Sequence, residues 1–118
     1  MERFCLTEWR TIRGSSTIAT ITQGESEWLD LGEYDDAMFY LEVGEVSGTV
    51  TLTYQTCPSK DDLSFQAMLP PIAMATGARV DRVLGKYALV PVARYVRWQL
   101  TGSGSPYDAT FQILIGAS

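Results

Sequence analysis

The sequence predicts an all-β fold, an antiparallel β-sandwich of about eight to ten short strands. Apolar and polar side chains alternate with a period of two, most clearly in residues 93–101, where Val96, Trp98 and Leu100 share one face. Clusters of Gly, Pro, Ser and Asp separate such segments at the spacing typical of sandwiches and barrels. No helical periodicity continues for as many as about ten residues, so a helical fold is not expected.

The first half of the chain contains five predicted strands. Residues 3–13 are β-compatible but lose their alternation, so we expect either a bulge or an edge strand that changes sheets. The Thr- and Ile-rich residues 17–22 and the short segment 28–31 favour two more strands. Residues 37–43 predict a strong strand, and residues 49–56 predict a strand with threonines on its outer face.

The second half begins with a segment that proline divides. In residues 63–75, Pro70-Pro71 excludes a continuous helix and a central strand, so we expect two short strands that cross between the sheets around a proline corner. Residues 79–92 predict a hairpin around Gly85-Lys86. The last two strands flank the turn 102–106, and we expect them to form an antiparallel hairpin that closes the domain.

Length and charge limit the classes of protein. The 118 residues are the length of one domain, so we expect residues 1–118 to form a single β-sandwich domain. A net charge of −5 argues against non-specific nucleic-acid binding, which needs a basic stripe. The charge is uneven, since residues 1–62 carry a net −8 and residues 63–118 a net +3. We expect the halves either to pair within the fold or to favour packing between copies.

The two cysteines, Cys5 and Cys57, do not make a disulfide framework. We expect buried thiols that pack as small hydrophobic side chains, or one bridge between them in an oxidising compartment. Residues 1–8 contain no apolar leader, and no segment approaches the roughly 20 apolar residues of a membrane span. The sequence therefore predicts a protein that is made in the cytoplasm and does not enter a membrane.

Candidate catalytic and metal-binding groups are few. Without histidine there is no Ser-His-Asp triad and no imidazole ligand. A pair of carboxylates can hydrolyse a sugar, but acidic residues between strands are usually solvated turn residues, so we expect no enzyme and no cofactor. The same acidic residues include weak candidates for a structural calcium site, namely Asp30, Glu33, Asp35 and Asp36.

Aromatic side chains are numerous for this length and favour a binding surface, because interfaces and sugar sites both use them. The residues for which we predict an interface role are Phe4, Trp9, Ile12, Trp28, Tyr95 and Arg97. The alternative is that outward aromatic residues such as Tyr40 and Tyr95 only cover their sheet.

Two segments carry a family resemblance. Residues 93–100, Ala-Arg-Tyr-Val-Arg-Trp-Gln-Leu, followed by a turn and a last strand, resemble the closing strands of discoidin-like and carbohydrate-binding jelly-roll sandwiches. Residues 47–56 look like the middle strands of the same group. The resemblance implies a jelly-roll type of sandwich in which Arg94 and Arg97 have a scaffold role. Small unsecreted domains of this kind also resemble accessory proteins of tailed-phage virions, such as capsid decoration proteins and tail components.

These observations predict a non-enzymatic structural protein, a β-sandwich that packs on other protein subunits of a phage-like capsid or tail, as a homo-oligomer or in many copies. It would reside in the virion after assembly. The alternative is a carbohydrate-binding module that stacks sugars on aromatic residues such as Trp28, with or without calcium. Assembly predicts apolar surface along an edge or terminus, whereas glycan binding predicts aromatic residues around one groove.

Overall fold

A computed structural model describes residues 1–85, 88 and 90–118 and contains two packed antiparallel sheets, which confirms the predicted all-β sandwich. The strands are β1 (Glu2–Gly14), β2 (Thr20–Thr22), β3 (Leu29–Asp30), β4 (Ala37–Ser47), β5 (Val50–Cys57), β6 (Gln66–Ala67), β7 (Ile72–Ala73), β8 (Gly77–Val83), β9 (Tyr95–Gly102) and β10 (Tyr107–Ala117). Short 3-10 turns at Glu25–Glu27 and Asp62–Ser64 precede β3 and β6.

The strand order is that of a jelly roll. Sheet A has the order β1-β10-β4-β8, and sheet B has the order β2-β9-β5-β6. In sheet B, β3 also pairs with β9, and β7 also pairs with β5. The chain passes from one sheet to the other after β1, β3, β4, β7, β8 and β9, as the two Greek keys of a jelly roll require.

The core lies between the sheets and is built from alternate side chains of each strand. Val96 and Trp98 of β9 are buried, as their alternation predicts. Trp98 packs edge-on against Phe111 of β10 with 5.4 Å between ring centroids, and Phe39 of β4 stacks on Tyr54 of β5 at 4.0 Å. Each pair joins one sheet to the other, and such aromatic contacts add about 0.5–1.5 kcal/mol beyond their burial.

Strand β1 confirms one of the two predictions made for it. Its register with β10 shifts between Cys5 and Thr7 and again between Thr7 and Arg10, so the strand is bulged. The other prediction, a change of sheets, is wrong, because β1 pairs with β10 from Glu2 to Gly14. The bulges absorb the broken alternation within one sheet.

The predicted closing hairpin is also wrong. Strand β9 lies in sheet B and β10 lies in sheet A, so the turn 102–106 carries the chain across the sandwich. Both strands present alternate apolar side chains to the same core, and this pattern is the same whether two strands pair within a sheet or face each other across the core.

The proline-divided segment stays in one sheet, contrary to the prediction that it crosses. Strands β6 and β7 both pair with β5, and the chain reaches sheet A only at β8. The partner of β8 is β4. Of the hairpin predicted in residues 79–92, Lys86, Tyr87 and Leu89 lie outside the described residues.

The two cysteines remain free thiols, so the predicted alternative of one bridge is not formed. Cys57 is buried, as expected. Cys5 is exposed, contrary to the expectation of a buried thiol, because the bulged strand β1 directs it to the outside of sheet A. In the described part of the chain, no helix has the length and the apolar character that crossing a membrane requires.

Candidate functional site

The outer face of sheet A carries an apolar row that crosses all four strands. Cys5 pairs in register with Leu114, Leu114 with Tyr40, and Tyr40 with Val80. Since residues paired in an antiparallel sheet project to the same side, these four side chains lie next to one another. Leu114 is 42%, Tyr40 39% and Val80 50% exposed. We call these four residues the apolar row.

Other apolar side chains extend this surface. A groove of about 570 Å³ beside the row is lined in part by Met1, Arg3 and Tyr40. The Trp9 ring lies against Gly44, where β4 bulges, and is half-exposed. Seven large hydrophobic side chains are exposed in the described part of the chain, and five of them lie on this face. These five are Met1, Trp9, Tyr40, Val80 and Leu114.

Charges of opposite sign flank the apolar row. Arg3 and Arg82 lie one step along the strands on one side, in register with Gly116 and Met38. Glu42 and then Glu45 of β4 lie on the other side. None of these four charged residues belongs to an ion pair among the residues that the structure describes.

The Cys5 thiol at the end of the apolar row is not activated as a catalytic nucleophile. Partial burial raises its pKa above the ordinary value, and the nearby carboxylate of Glu8 raises that pKa further. Because the thiolate is the nucleophile, a raised pKa keeps Cys5 in its less reactive protonated form at neutral pH.

The outer face of sheet B has a different character, because its central cation is covered. The Arg97 side chain leaves β9 on the outer face, yet the residue is only 4% exposed. Its Nε donates to Gln55 Oε1 at 2.8 Å, and its guanidinium pairs with Asp62. The same group lies 3.8 Å from the ring centroid of Phe65 and 5.1 Å from that of Trp28.

Side-chain amides continue this network across three strands. Gln55 of β5 donates to Gln99 Oε1 of β9 at 3.2 Å, and Gln99 donates to Thr22 Oγ1 of β2 at 3.0 Å. With Arg97, these residues form a hydrogen-bonded chain that we call the amide ladder. Its polar groups already form hydrogen bonds with one another, and this network stabilises the outer face of sheet B.

The six predicted interface residues do not form one surface. Trp9 is exposed on sheet A, whereas Phe4 and Ile12 are half-buried and pack towards the core. Phe4 also packs edge-on against Tyr34 at 5.5 Å. The remaining three, Trp28, Tyr95 and Arg97, belong to sheet B and its flanking loop.

Trp28 and Arg97 are less accessible than predicted. Trp28 is half-buried, packs against Phe65 at 4.7 Å and donates its indole N–H to the Gln23 carbonyl at 2.8 Å. The expectation that Arg97 offers outward surface is corrected, because the loop after β5 folds Asp62 and Phe65 over it. Tyr95 is half-buried between Lys60 and Arg94, whose cationic groups lie 5.5 and 5.1 Å from its ring centroid.

Sequence reasoning missed Leu114 and Val80 as surface residues. Alternation does place Tyr40 on the outside of β4, but only the register between β8, β4 and β10 aligns it with the other two. Alternation therefore indicated which positions of a strand point outward, but not that these positions on neighbouring strands lie side by side.

The four weak calcium candidates do not form a metal site, and two of them, Asp30 and Asp36, bind other groups of the protein. Asp30 pairs with Arg94 at 3.2 Å and accepts a hydrogen bond from Gly32 N–H, and both contacts, Arg94 first, hold the pKa of Asp30 below its ordinary value. Asp36 accepts from Gly85 N–H at 2.8 Å. Over the described ranges, no group of three or more Cys, Asp or Glu side chains is placed to hold a metal ion.

No protein-family model and no curated protein matches the sequence. Among solved structures, the chain is similar to a Family 30 carbohydrate-binding module, with a TM-score of 0.51, 9% identity and full coverage of both chains. It is also similar to a chain of Bacillus endospore appendages, a family of disulfide-linked pili, with a TM-score of 0.50, 15% identity and coverage of 98% of this chain and 88% of the other.

A third similar structure comes from infectious bursal disease virus, strain Gx, with a TM-score of 0.50 and 9% identity. That match covers 97% of this chain but only 32% of the viral chain, so the protein corresponds to about a third of it. Identities this low show the shared β-sandwich fold alone, a fold that occurs in structural and in carbohydrate-binding proteins.

Proposed function

We propose that the protein is a non-enzymatic structural subunit that packs on neighbouring proteins of a larger particle through the outer face of sheet A. The observation that carries the proposal is the apolar row, which stands exposed in the middle of that face. Contiguous apolar surface costs free energy in water, so on a stable protein it marks a contact site.

The position of the apolar surface favours assembly over glycan binding. Five of the seven large hydrophobic side chains exposed in the described part of the chain lie on one sheet face and reach its edge strand β1 and Met1, as an assembly protein requires. The aromatic residues of sheet B do not surround a groove. Trp28 and Phe65 instead pack on each other and on Arg97.

The particular assembly that we propose is a capsid or tail of a phage-like particle, to which the protein binds after synthesis in the cytoplasm. The similarity of the fold to a pilus chain and to a virus chain supports an assembly role in general. The more specific proposal of a phage-like particle rests on the resemblance of the sequence to accessory proteins of tailed-phage virions.

Sedimentation of lysate from the native source tests this function. We expect the protein to sediment with a particle far larger than its own 13.1 kDa. The substitution Tyr40→Glu places a charge in the apolar row and should leave the protein at the top of the gradient. Thr53→Glu, on the outer face of sheet B, is the matched control and should still sediment. A wild-type protein that runs alone contradicts the proposal.

A second candidate function, carbohydrate binding, has one observation in its favour. The amide ladder lies beside the half-buried Trp28 on a sheet face that also carries threonine hydroxyls, and amides with an aromatic ring are groups that bind sugars. A glycan screen with the wild type, Gln99→Ala and Trp28→Ala tests it. Binding that both substitutions abolish in folded protein supports this function, and absence of binding by the wild type rejects it.

A further inference from the structure

We infer that the partner of the sheet A face is a second copy of this chain, related by a two-fold axis that runs along the apolar row. This inference rests on the proposed function and deepens it by naming the partner. In such a dimer each residue of the row meets its own counterpart, and the two sheets pack face to face.

The charges beside the row are self-complementary under this symmetry. Rotation about the row brings the side of one copy that carries Arg3 and Arg82 over the side of the other copy that carries Glu42 and Glu45. Arg82 of one copy then lies above Ala78 of the second copy, next to Glu42, with which Ala78 is in register. Since neither Arg82 nor Glu42 has an ion-pair partner among the described residues, a second copy supplies one to each of them.

The same charges exclude the other symmetric arrangement. A two-fold axis parallel to the strands would leave the arginine side over the arginine side, with Arg3 of one copy above Arg82 of the other. Like charges in contact oppose binding. Only the axis along the row pairs opposite charges on both sides of the apolar centre.

The size of the face suits a specific dimer. Four strands about 4.8 Å apart, with about ten residues per strand on average at about 3.4 Å per residue, make a face of roughly 650 Å². Two such faces bury roughly 1,300 Å², within the range of about 1,200–2,000 Å² for specific interfaces. The axis also keeps the strands of the two copies roughly aligned, which is a common geometry for packed sheets.

A charge-exchange experiment tests the axis. By analytical ultracentrifugation at low salt, Arg82→Glu and Glu42→Arg should each weaken self-association about tenfold. The new charge lies beside a like charge of the second copy, which is Glu42 in the first variant and Arg82 in the second. An equal mixture of the two variants should recover the affinity of the wild type, since both charge pairs are then attractive. Thr53→Arg, on the outer face of sheet B, is the control and should dimerise normally. A mixture that stays as weak as its components overturns the proposed axis.

Cys5 gives an independent measure of the same geometry. On the axis, the two Cys5 residues face each other across packed sheets about 10 Å apart, a distance that a short bismaleimide spans but a disulfide does not. We expect a covalent dimer with bismaleimide, and none with Cys5→Ser. A dimer in ultracentrifugation that Cys5 does not cross-link would overturn the axis.

The two proposals fail in distinguishable ways. If the protein sediments with a particle and Tyr40→Glu prevents this, but the purified wild type is monomeric, then the face binds a different protein and the two-fold inference is overturned alone. If the wild type neither self-associates nor sediments with a particle, both proposals are overturned.

Discussion

Arg97 shows how a single outward-facing residue can become part of the interior. Its stem rises from the outer face of β9, and Asp62, Phe65 and Gln55 then enclose the guanidinium on three sides. A charged group loses hydration when it is buried, and here hydrogen bonds to Gln55 and Asp62 together with the Phe65 ring face compensate for this loss. The residue therefore fastens the loop after β5 to sheet B.

We predict that Arg97→Ala lowers the free energy of unfolding by about 2–3 kcal/mol, because it removes charge-assisted hydrogen bonds and the packing of a long stem. Urea unfolding followed by tryptophan fluorescence measures the change. Asp62 is 71% exposed and regains water when Arg97 is lost, so the cost stays below that of a stranded buried charge.

The matched control is Arg94→Ala. Arg94 also pairs with an aspartate, Asp30, but both partners are about half-exposed, and exposed ion pairs contribute little. We expect its urea midpoint to remain close to that of the wild type. Equal effects of the two substitutions would show that burial of Arg97 is not what matters.

At the scale of elements, Tyr107 packs against three of the connections that carry the chain from one sheet to the other. This first residue of β10 packs against Gly14, Gly48 and Gly102, each at or just beyond the end of a strand from which the chain passes to the other sheet. The Tyr107 hydroxyl also donates to the Ala19 carbonyl at 3.2 Å. Gly48 has φ of +81°, a conformation that glycine adopts without strain. Tyr107 thus contacts three connections between the sheets, two through its ring and one through its Cα and Cβ.

We predict that Gly14→Ala destabilises the fold by about 1–3 kcal/mol, the usual cost of overpacking. A Cβ at Gly14 would lie 2.0 Å from the Tyr107 ring, which is itself buried and unable to move aside. In the background of Tyr107→Ala, the same substitution should cost almost nothing, since the obstructing ring is gone. Thermal unfolding of the four proteins of this double-mutant cycle measures both effects.

Gly24→Ala is the control for glycine replacement as such. No atom lies within 4 Å of a Cβ at Gly24, and its backbone is extended with φ of −65°. We expect no loss of stability. If Gly14→Ala remained costly without the Tyr107 ring, the backbone of β1 and not the ring would be responsible.

For the whole molecule, the uneven charge of the sequence is partly neutralised inside the fold. Three of the five ion pairs in the described part of the chain join the acidic half to the basic half: Arg13–Asp108, Arg94–Asp30 and Arg97–Asp62. Of the two expectations for this charge, pairing within the fold is therefore observed. The other expectation, packing between copies, stays a prediction that rests on the unpaired charges beside the apolar row.

We predict that the fold loses stability in acid through Asp30 and Asp61. Hydrogen bonds from Arg94 and the Gly32 N–H lower the pKa of Asp30, and those from Ser64 and the Leu63 N–H lower the pKa of Asp61. A lowered pKa in the folded state means that the contribution is present above the unfolded pKa of about 3.9 and disappears as the pH falls through the folded value. Urea midpoints measured from about pH 6 to pH 2 should therefore decrease.

Asn substitutions separate these two carboxylates from general acid effects. Asp30→Asn and Asp61→Asn should flatten the decrease below about pH 4, because the titrating group is gone. Glu33→Gln, an exposed carboxylate in the same loop as Asp30, should leave the curve of the wild type unchanged. An unchanged slope in both Asn variants would contradict the assignment.

The sequence by itself determined the positions of the long strands and the direction of most of their side chains, because alternation is a local property of an extended chain. Trp98 in the core and Tyr40 on the outside follow from it, and the bulge in β1 was one of the two alternatives that the broken alternation of residues 3–13 predicted. Trp9 is the one predicted interface residue that also lies on the proposed contact face.

The tertiary structure alone decided which strands pair. The closing strands β9 and β10 belong to different sheets, Arg97 is covered by a distant loop, and Leu114, Tyr40 and Val80 meet only through the register of three strands. Pairing and register depend on contacts between residues far apart in the chain, and these are selected by packing of the whole core. For this reason the fold class could be predicted from the sequence, whereas the apolar row could not.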